Sequence, residues 1–122
     1  MDNLKCKFDE ADQIFSFLWE GKMTGQDIID SALLGVIPEG CKRVICNHVN
    51  ADIVGMPSDF RKVGSFFQEN MGLFDSCRFA AVIETPAAAA AYSLIINMVH
   101  HRNYRLFSTE EAAKKWLKEL PI

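Results

Sequence analysis

The apolar positions along the chain alternate between the two-residue period of strands and the longer period of amphipathic helices. Short apolar runs bounded by turn signals predict five strands, at Leu4–Phe8, Gln13–Trp19, Arg43–Asn47, Phe79–Ile83 and Tyr104–Phe107. The acidic turn Asp9–Asp12 between the first two runs is typical of a hairpin. Gly21 is expected to end the second strand.

Three helices are predicted between these strands. Thr24 is expected to cap the first, whose buried stripe would comprise Ile28, Ile29, Ala32 and Leu33. The second helix is predicted over Ser58–Asn70, with Gly72 as its stop. The third is predicted to start at Thr85-Pro86 and to continue over Ala87–Val99, since threonine suits a cap and proline suits the first helical position.

A fourth, strongly patterned helix closes the chain. Ser108 with Glu111 three residues later predicts a capping box at its start. Glu110 and Lys114, and likewise Glu111 and Lys115, are spaced to pair on its solvent face. The opposite, apolar face is predicted to comprise Ala112, Ala113, Trp116, Leu117 and Leu120.

The resulting element order is ββαβαβαβα. Because connections between parallel strands are right-handed, each strand after the hairpin is expected to lie parallel to the one before it. The predicted fold class is therefore α/β, with a mixed, mostly parallel sheet of about five strands flanked by about four helices. At 122 residues, the chain is expected to form a single domain over residues 1–122.

Composition narrows the classes of function. The net charge of −3 and the absence of a basic run argue against nucleic-acid binding. The N-terminus lacks a basic segment followed by an apolar one, and no apolar run reaches the ~20 residues that span a bilayer. We therefore expect a cytoplasmic protein, with peripheral membrane association as the alternative.

The four cysteines do not have the spacing of a metal site. Cys6, Cys41, Cys46 and Cys77 form no C-x-x-C pair, and only His48 lies near any of them. Cys6 and Cys46 lie within apolar strand patterns, which predicts that they are small buried side chains. No metal and no cofactor are expected.

The element order, the Trp19–Thr24 junction before the first helix and the closing segment Leu106–Leu117 resemble those of the small STAS-like, SpoIIAA-like bacterial proteins. The resemblance covers the whole chain and implies a non-enzymatic regulatory module, such as an anti-sigma-factor antagonist or a cytoplasmic domain of a transporter. A divergent stand-alone branch is similar in shape to CRAL-TRIO carriers, which implies apolar ligands or membranes as binding targets.

One position tests the regulatory version of that resemblance. Classical antagonists carry an Asp-Ser-Ser-Gly type sequence whose serine is phosphorylated, and the matching stretch here is Gly55–Phe60. Ser58 matches the serine, but Pro57, Asp59 and Phe60 replace its neighbours. Ser58 is therefore predicted to cap the second helix, with a phosphorylation switch as the alternative.

Polar residues near predicted strand ends form a candidate binding edge, because ligands of parallel sheets favour the carboxyl ends of strands. His48 with Asp52 or Glu84 would offer an acid–base pair. The sequence has no nucleophile elbow and no glycine-rich phosphate loop, so we expect a polar binding edge and no enzyme. Its residues are Asn47, His48, Asn50, Asp52, Glu84 and Thr85.

The second helix, the loop before it and the third helix carry more apolar residues than one buried face needs. They predict core packing, a dimer interface, or an apolar pocket between these two helices. The residues are Ile53, Val54, Met56, Phe60, Phe66, Phe67, Tyr92, Ile95 and Ile96. The expected function is a protein-interaction module with a protein partner or a second copy; the alternative is a carrier or sensor of a small apolar, lipid-like ligand.

Overall fold

The computed structural model describes residues 2–119, and its five strands form one mixed sheet in the order β1-β2-β3-β4-β5. The predicted element order is confirmed, and Leu120 lies outside the described residues. The elements are β1 (Leu4–Asp9), β2 (Ile14–Met23), α1 (Gly25–Ala32), β3 (Arg43–Ile53), α2 (Pro57–Glu69), a 3-10 helix (Met71–Phe74), β4 (Arg78–Val82), α3 (Pro86–Val99), β5 (Tyr104–Phe107) and α4 (Glu110–Lys118).

The connections determine which face of the sheet each helix covers. β1 and β2 form the predicted antiparallel hairpin, and β2 through β5 are parallel neighbours. Since every parallel strand is added on the same side of its predecessor, right-handed connections place α1, α2 and α3 on one face, here called the inner face. α4 follows the last strand and packs on the other, outer face, where Trp116 and Leu117 join Ile45 and Val82 in a buried cluster.

Two predicted helix starts are confirmed, and one is wrong by a residue. The hydroxyls of Thr24 and Thr85 accept the backbone N–H groups of Asp27 and Ala88. At α4 the cap is Thr109, not Ser108, because the backbone stays extended through Thr109 and becomes helical after it. The Thr109 hydroxyl accepts the N–H of Ala112 at 3.2 Å, and the predicted capping box does not form.

The buried face of α4 also differs from the prediction by one residue. Ala113, Trp116 and Leu117 are buried as predicted, but Ala112 is exposed. The Glu110–Lys114 ion pair is present at 3.6 Å.

The start of α2 differs from the prediction as well. Pro57 is the first helical residue, and Asp59 accepts the backbone N–H of Met56 at 2.7 Å, so Ser58 is not the cap. Ser58 lies exposed in the first turn. At its other end α2 stops at Glu69, and Gly72 lies within the following 3-10 helix instead of ending α2.

The second and third strands are longer than predicted. β2 continues through Gly21, and β3 continues through Ile53, so that the two strands extend beyond the rest of the sheet as a ribbon. Gly21 adopts a φ of +70°, which is accessible to glycine at little cost, and the strand therefore passes through it without ending.

Two predicted buried side chains are exposed. α1 ends at Ala32, which leaves Leu33 outside the helix and 68% exposed. Cys6 lies in the edge strand β1, none of whose residues is buried, and its side chain is exposed.

α2 and α3 pack directly against each other. Gly64 of α2 lies under Met98 of α3, and a Cβ at position 64 would approach the Met98 Sδ to 2.6 Å and the Met98 Cβ to 3.1 Å. Phe60, Val63 and Ile95 are buried in the same core. Because glycine lets the two helices approach this closely, no space for a ligand remains at the Gly64–Met98 contact.

No helix within residues 2–119 has both the length and the apolar character that crossing a bilayer requires. The most apolar helix, α3, has 14 residues, whereas a span needs ~20.

Gly64→Ala is expected to destabilise the protein by roughly 1–3 kcal/mol, because the added methyl overpacks the α2–α3 contact. Chemical denaturation followed by circular dichroism measures this change. Gly72→Ala is the matched control, since a Cβ there meets no atom within 4 Å, and its stability should change by less than about 0.5 kcal/mol. Equal stabilities of the two variants would contradict the close contact.

Candidate ligand pocket

His48 lies on the inner face of β3, at the first position of a bulge. Leu18 of β2 pairs with Asn47 and Glu20 pairs with Asn50, so His48 and Val49 together face the single residue Trp19. Bulges bend a strand and redirect its side chains, and they are uncommon between parallel strands. The Asn47 Oδ1 accepts the backbone N–H of Val49 at 2.9 Å, which satisfies a backbone donor within the bulge.

The imidazole of His48 is held on three sides. Its Nε2 forms a short hydrogen bond with the Tyr92 hydroxyl of α3, and its Nδ1 lies 3.3 Å from the Met23 Sδ. The Trp19 indole lies parallel to the imidazole, with a ring-centre distance of 6.3 Å and an interplanar angle of 8°. His48 is 2% exposed, so the bulge and α3 together fix the ring inside the protein.

A cavity of about 70 Å³ adjoins this histidine and is called the His48 cavity. It lies between the inner face of the sheet and the helices that cover it. Its walls are mainly aromatic and aliphatic. The lining residues are Phe17, Trp19, Ile28, Ser31, Ala32, Ile37, Cys46, His48, Phe67, Leu73, Phe74, Phe79, Tyr92 and Tyr104.

The mouth of the His48 cavity lies between the end of α1 and the 3-10 helix. Ala32, Ile37 and Leu73 line the cavity and are partly exposed, whereas His48 and Tyr92 are almost fully buried. The loop 33–36 leaves α1 beside this mouth and carries three exposed apolar side chains. They are Leu33, Leu34 and Val36, which are 68%, 47% and 40% exposed, while Leu73 is 40% exposed.

The titratable groups of the cavity are uncharged at neutral pH. Burial lowers the pKa of His48 to about 3 and raises the pKa of the Cys46 thiol to about 12, with a smaller contribution from the nearby Cys6 thiol. Burial also raises the pKa values of Tyr92 and Tyr104 well above their usual range. The described lining is therefore electrically neutral, with a few hydrogen-bonding groups in an apolar wall.

These pKa values bear on chemistry as well as on binding. A cysteine acts as a nucleophile through its thiolate, and a histidine near pKa 7 is the effective general base. Cys46 and His48 share a strand face, but the thiol stays protonated and the imidazole is a weak base. In the described part of the chain, no group of three or more His, Cys, Asp or Glu residues has the arrangement of a metal site.

The six residues of the predicted polar edge do not form one site. Asn47 stabilises the bulge, and His48 is buried against Tyr92, with neither Asp52 nor Glu84 among its described partners. This correction follows from the strand length: residues 47–52 lie inside β3 and not in a loop after it. Asn50 and Asp52 are exposed on the β2–β3 ribbon.

Glu84 and Thr85 lie elsewhere, at the carboxyl ends of β4 and β5. They line an open groove together with Pro86, Phe107 and Ser108, as the meeting of strand ends predicts. Thr85 is occupied as the cap of α3.

The predicted apolar surface is also divided. Phe67 and Tyr92 line the His48 cavity. Phe60 and Ile95 are core residues, and Phe66 and Ile96 are half-buried against that core. Ile53 ends β3, the N–H of Val54 donates to the Met23 carbonyl at 2.9 Å, and Met56 is 67% exposed.

The prediction from sequence missed Trp19, Cys46 and Tyr104 as lining residues. The signal for Cys46 and His48 was present, since Val44, Cys46 and His48 alternate along one strand face. Trp19 and Tyr104 come from other strands, and only the sheet order brings them to the same cavity.

Comparison with known proteins supports the fold. No protein-family profile matches the chain, and no curated protein does. Among solved structures, the chain is similar to an uncharacterised protein of the DUF3478 family with a SpoIIAA-like fold from Shewanella loihica PV-4. That similarity has a TM-score of 0.51 and 17% sequence identity, and covers 93% of this chain and 91% of the other. The fold is thus SpoIIAA-like, as the resemblance in the sequence predicted.

The buried, neutral His48 predicts a characteristic loss of stability in acid. Between pH 6.5 and pH 3 the unfolded chain binds a proton on this imidazole and the native protein does not, so falling pH favours unfolding. The expected contribution of His48 is about 2 kcal/mol between pH 7 and pH 5. His48→Gln should abolish that component, which is measured by denaturant unfolding at both pH values.

The control for this experiment is His100→Asn, which replaces an exposed histidine at the end of α3. His100 has a φ of 44°, a conformation that asparagine tolerates well. This variant should keep the pH dependence of the wild-type protein. If His48→Gln keeps it as well, the imidazole is not buried in its neutral form.

Proposed function

We propose that this SpoIIAA-like domain is a non-enzymatic carrier or sensor that binds a small apolar molecule in the His48 cavity. The observation that supports the proposal is an apolar cavity inside the core with a hydrogen-bonded His48–Tyr92 pair in its wall. Pockets of this composition, mainly apolar with a few placed polar groups, are typical of small-molecule sites.

The size of the cavity limits what it encloses. An engineered, dry apolar cavity of ~150 Å³ holds benzene, and the His48 cavity has about half that volume. Only one end of a lipid-like molecule therefore fits inside. The rest of the molecule would lie along the mouth, where Leu33, Leu34 and Leu73 are exposed.

The proposal includes the absence of catalysis. Nucleophilic attack by Cys46 would need a thiolate, and the pKa of about 12 keeps the thiol protonated. His48, with a pKa of about 3, has little basicity to activate it or a water molecule.

The test uses the fluorescence of Trp19, on the inner face of the sheet, after the tryptophan on the outer face has been removed. In a Trp116→Phe background, Trp19 is the one remaining tryptophan and lies in the cavity wall. Titration with 1-bromohexane should quench its fluorescence in a saturable way, because the bromine atom enters the cavity. Native mass spectrometry of freshly purified protein would separately reveal a retained ligand.

Ala32→Phe should weaken the binding of 1-bromohexane at least tenfold, because the added ring fills the cavity from its mouth. Ala112→Phe is the matched control, since Ala112 is exposed on α4, which packs on the outer face. Equal dissociation constants for the two variants, or quenching that never saturates, would exclude binding in the cavity.

A regulatory protein-interaction role is the second candidate, and the exposed apolar side chains favour it. Leu33, Leu34, Val36 and Leu73 surround the cavity mouth, and Met56 is exposed before α2. Exposed apolar patches of this kind mark interaction sites. The patch around the mouth would let a partner respond to the presence of a ligand. Ser58 remains available for phosphorylation, since it is exposed and caps nothing.

The simplest partner is a second copy of the chain. On this candidate, Leu33→Ser with Leu34→Ser should abolish a concentration-dependent dimer seen by sedimentation equilibrium. Replacing Ala89 and Ala90 by serine, two exposed positions on α3, should leave the association unchanged. A wild-type protein that stays monomeric would exclude self-association through this patch.

A further inference from the structure

We propose that the His48 cavity selects an uncharged molecule whose hydroxyl group donates a hydrogen bond to the Tyr92 oxygen, while its hydrocarbon part points to the mouth at Leu73. This inference rests on the proposed function, and names the chemistry of the ligand. It follows from the hydrogen bonds of His48 and from the composition of the cavity wall.

The position of Met23 determines which nitrogen of His48 carries the proton. A neutral imidazole has one N–H group and one lone pair. The Nδ1 lies 3.3 Å from the Met23 sulfur, which is a weak acceptor and has no proton to give. A proton on Nδ1 therefore makes an N–H···S contact, whereas a lone pair there would face the lone pairs of sulfur.

The direction of the Tyr92 hydrogen bond follows from this assignment. With the proton on Nδ1, the Nε2 of His48 is an acceptor, so the Tyr92 O–H must donate to it. The single proton of the phenol is then used, and its oxygen still has lone pairs to offer. Tyr92 thus presents an acceptor, and a complementary ligand must bring a donor.

The rest of the wall excludes charged donors and anions. None of the described lining residues is an Asp, Glu, Lys or Arg. An ammonium group or a carboxylate would lose its hydration without gaining a counter-ion, which is costly in an apolar site. An alcohol or a phenol satisfies both requirements, since it donates one proton and carries no charge.

The test compares 1-hexanol with its isomer methyl pentyl ether, which has the same atoms but no O–H group. Each compound is added to the Trp116→Phe protein with bound 1-bromohexane, and its dissociation constant is obtained from the recovery of Trp19 fluorescence. The measurement is made with and without Tyr92→Phe. The dissociation constant of 1-hexanol should rise about five- to tenfold in the Tyr92→Phe variant, the usual effect of one lost hydrogen bond. That of the ether should change less than twofold.

Two further measurements complete the comparison. Ser16→Ala removes a buried hydroxyl that does not line the cavity, and should leave the affinity for 1-hexanol unchanged. Pentanoate at pH 8 should not compete at concentrations at which 1-hexanol does.

A readout on the wild-type protein covers the case in which Tyr92→Phe does not fold. Nitrogen-15 chemical shifts of His48 should show the proton on Nδ1. Adding 1-hexanol should shift the Nε2 resonance further toward a stronger hydrogen bond, because hydrogen bonds in a chain reinforce one another. The ether should not have this effect.

Each contrary result identifies which part of the proposals fails. A proton on Nε2, or an equal loss of alcohol and ether affinity in Tyr92→Phe, overturns the proposed direction of the hydrogen bond. Unchanged 1-hexanol affinity in Tyr92→Phe overturns this inference and leaves the carrier proposal standing if Ala32→Phe still blocks binding. The proposed function itself fails only if neither compound, nor 1-bromohexane, binds in a way that Ala32→Phe prevents.

Discussion

The bulge at His48–Val49 is the constraint on which the inner face of the sheet depends. Before the bulge, alternate residues of β3 point to the helices, and His48 is the last of them. A regular strand would next bury Asn50, at the cost of taking an amide out of water. The extra residue shifts the phase, so that Ala51 is buried and Asn50 is exposed. The Asn47 side chain holds the backbone in this arrangement.

The first residue of the bulge also connects α3 to the sheet. Tyr92 contacts His48, so a hydrogen bond between two buried side chains holds the helix to the strand. Such a bond contributes only about 1 kcal/mol net, but removing one partner leaves the other unsatisfied, at a cost of ~1–3 kcal/mol. The pair therefore specifies the position of α3 more than it adds to stability. Apolar contacts such as that of Gly64 with Met98 hold the helices together.

Features set by neighbouring residues were predictable from the sequence, and features set by the whole sheet were not. The element order and the caps at Thr24 and Thr85 depend on short patterns, and the structure confirms them. Ser108 and Thr109 are both suitable caps, and Thr109 is the one used because the backbone stays extended through it. The length of β3 was hidden because its bulge interrupts the two-residue period. The His48 cavity could not be predicted, since Trp19, His48 and Tyr92 come from three separate elements.

The bulge has a consequence for how the sequence can change over evolution. Losing Val49 would restore regular pairing with β2 and would leave Asn50 and Ala51 on their present faces, because Asn50 already pairs with Glu20. Such a deletion would remove the bulge and keep the buried face of β3. Loop 33–36 has no partner strand and tolerates larger changes in length. Among homologous chains, β3 should therefore occur with and without this one residue, whereas insertions and deletions of other lengths should be found beside the cavity mouth.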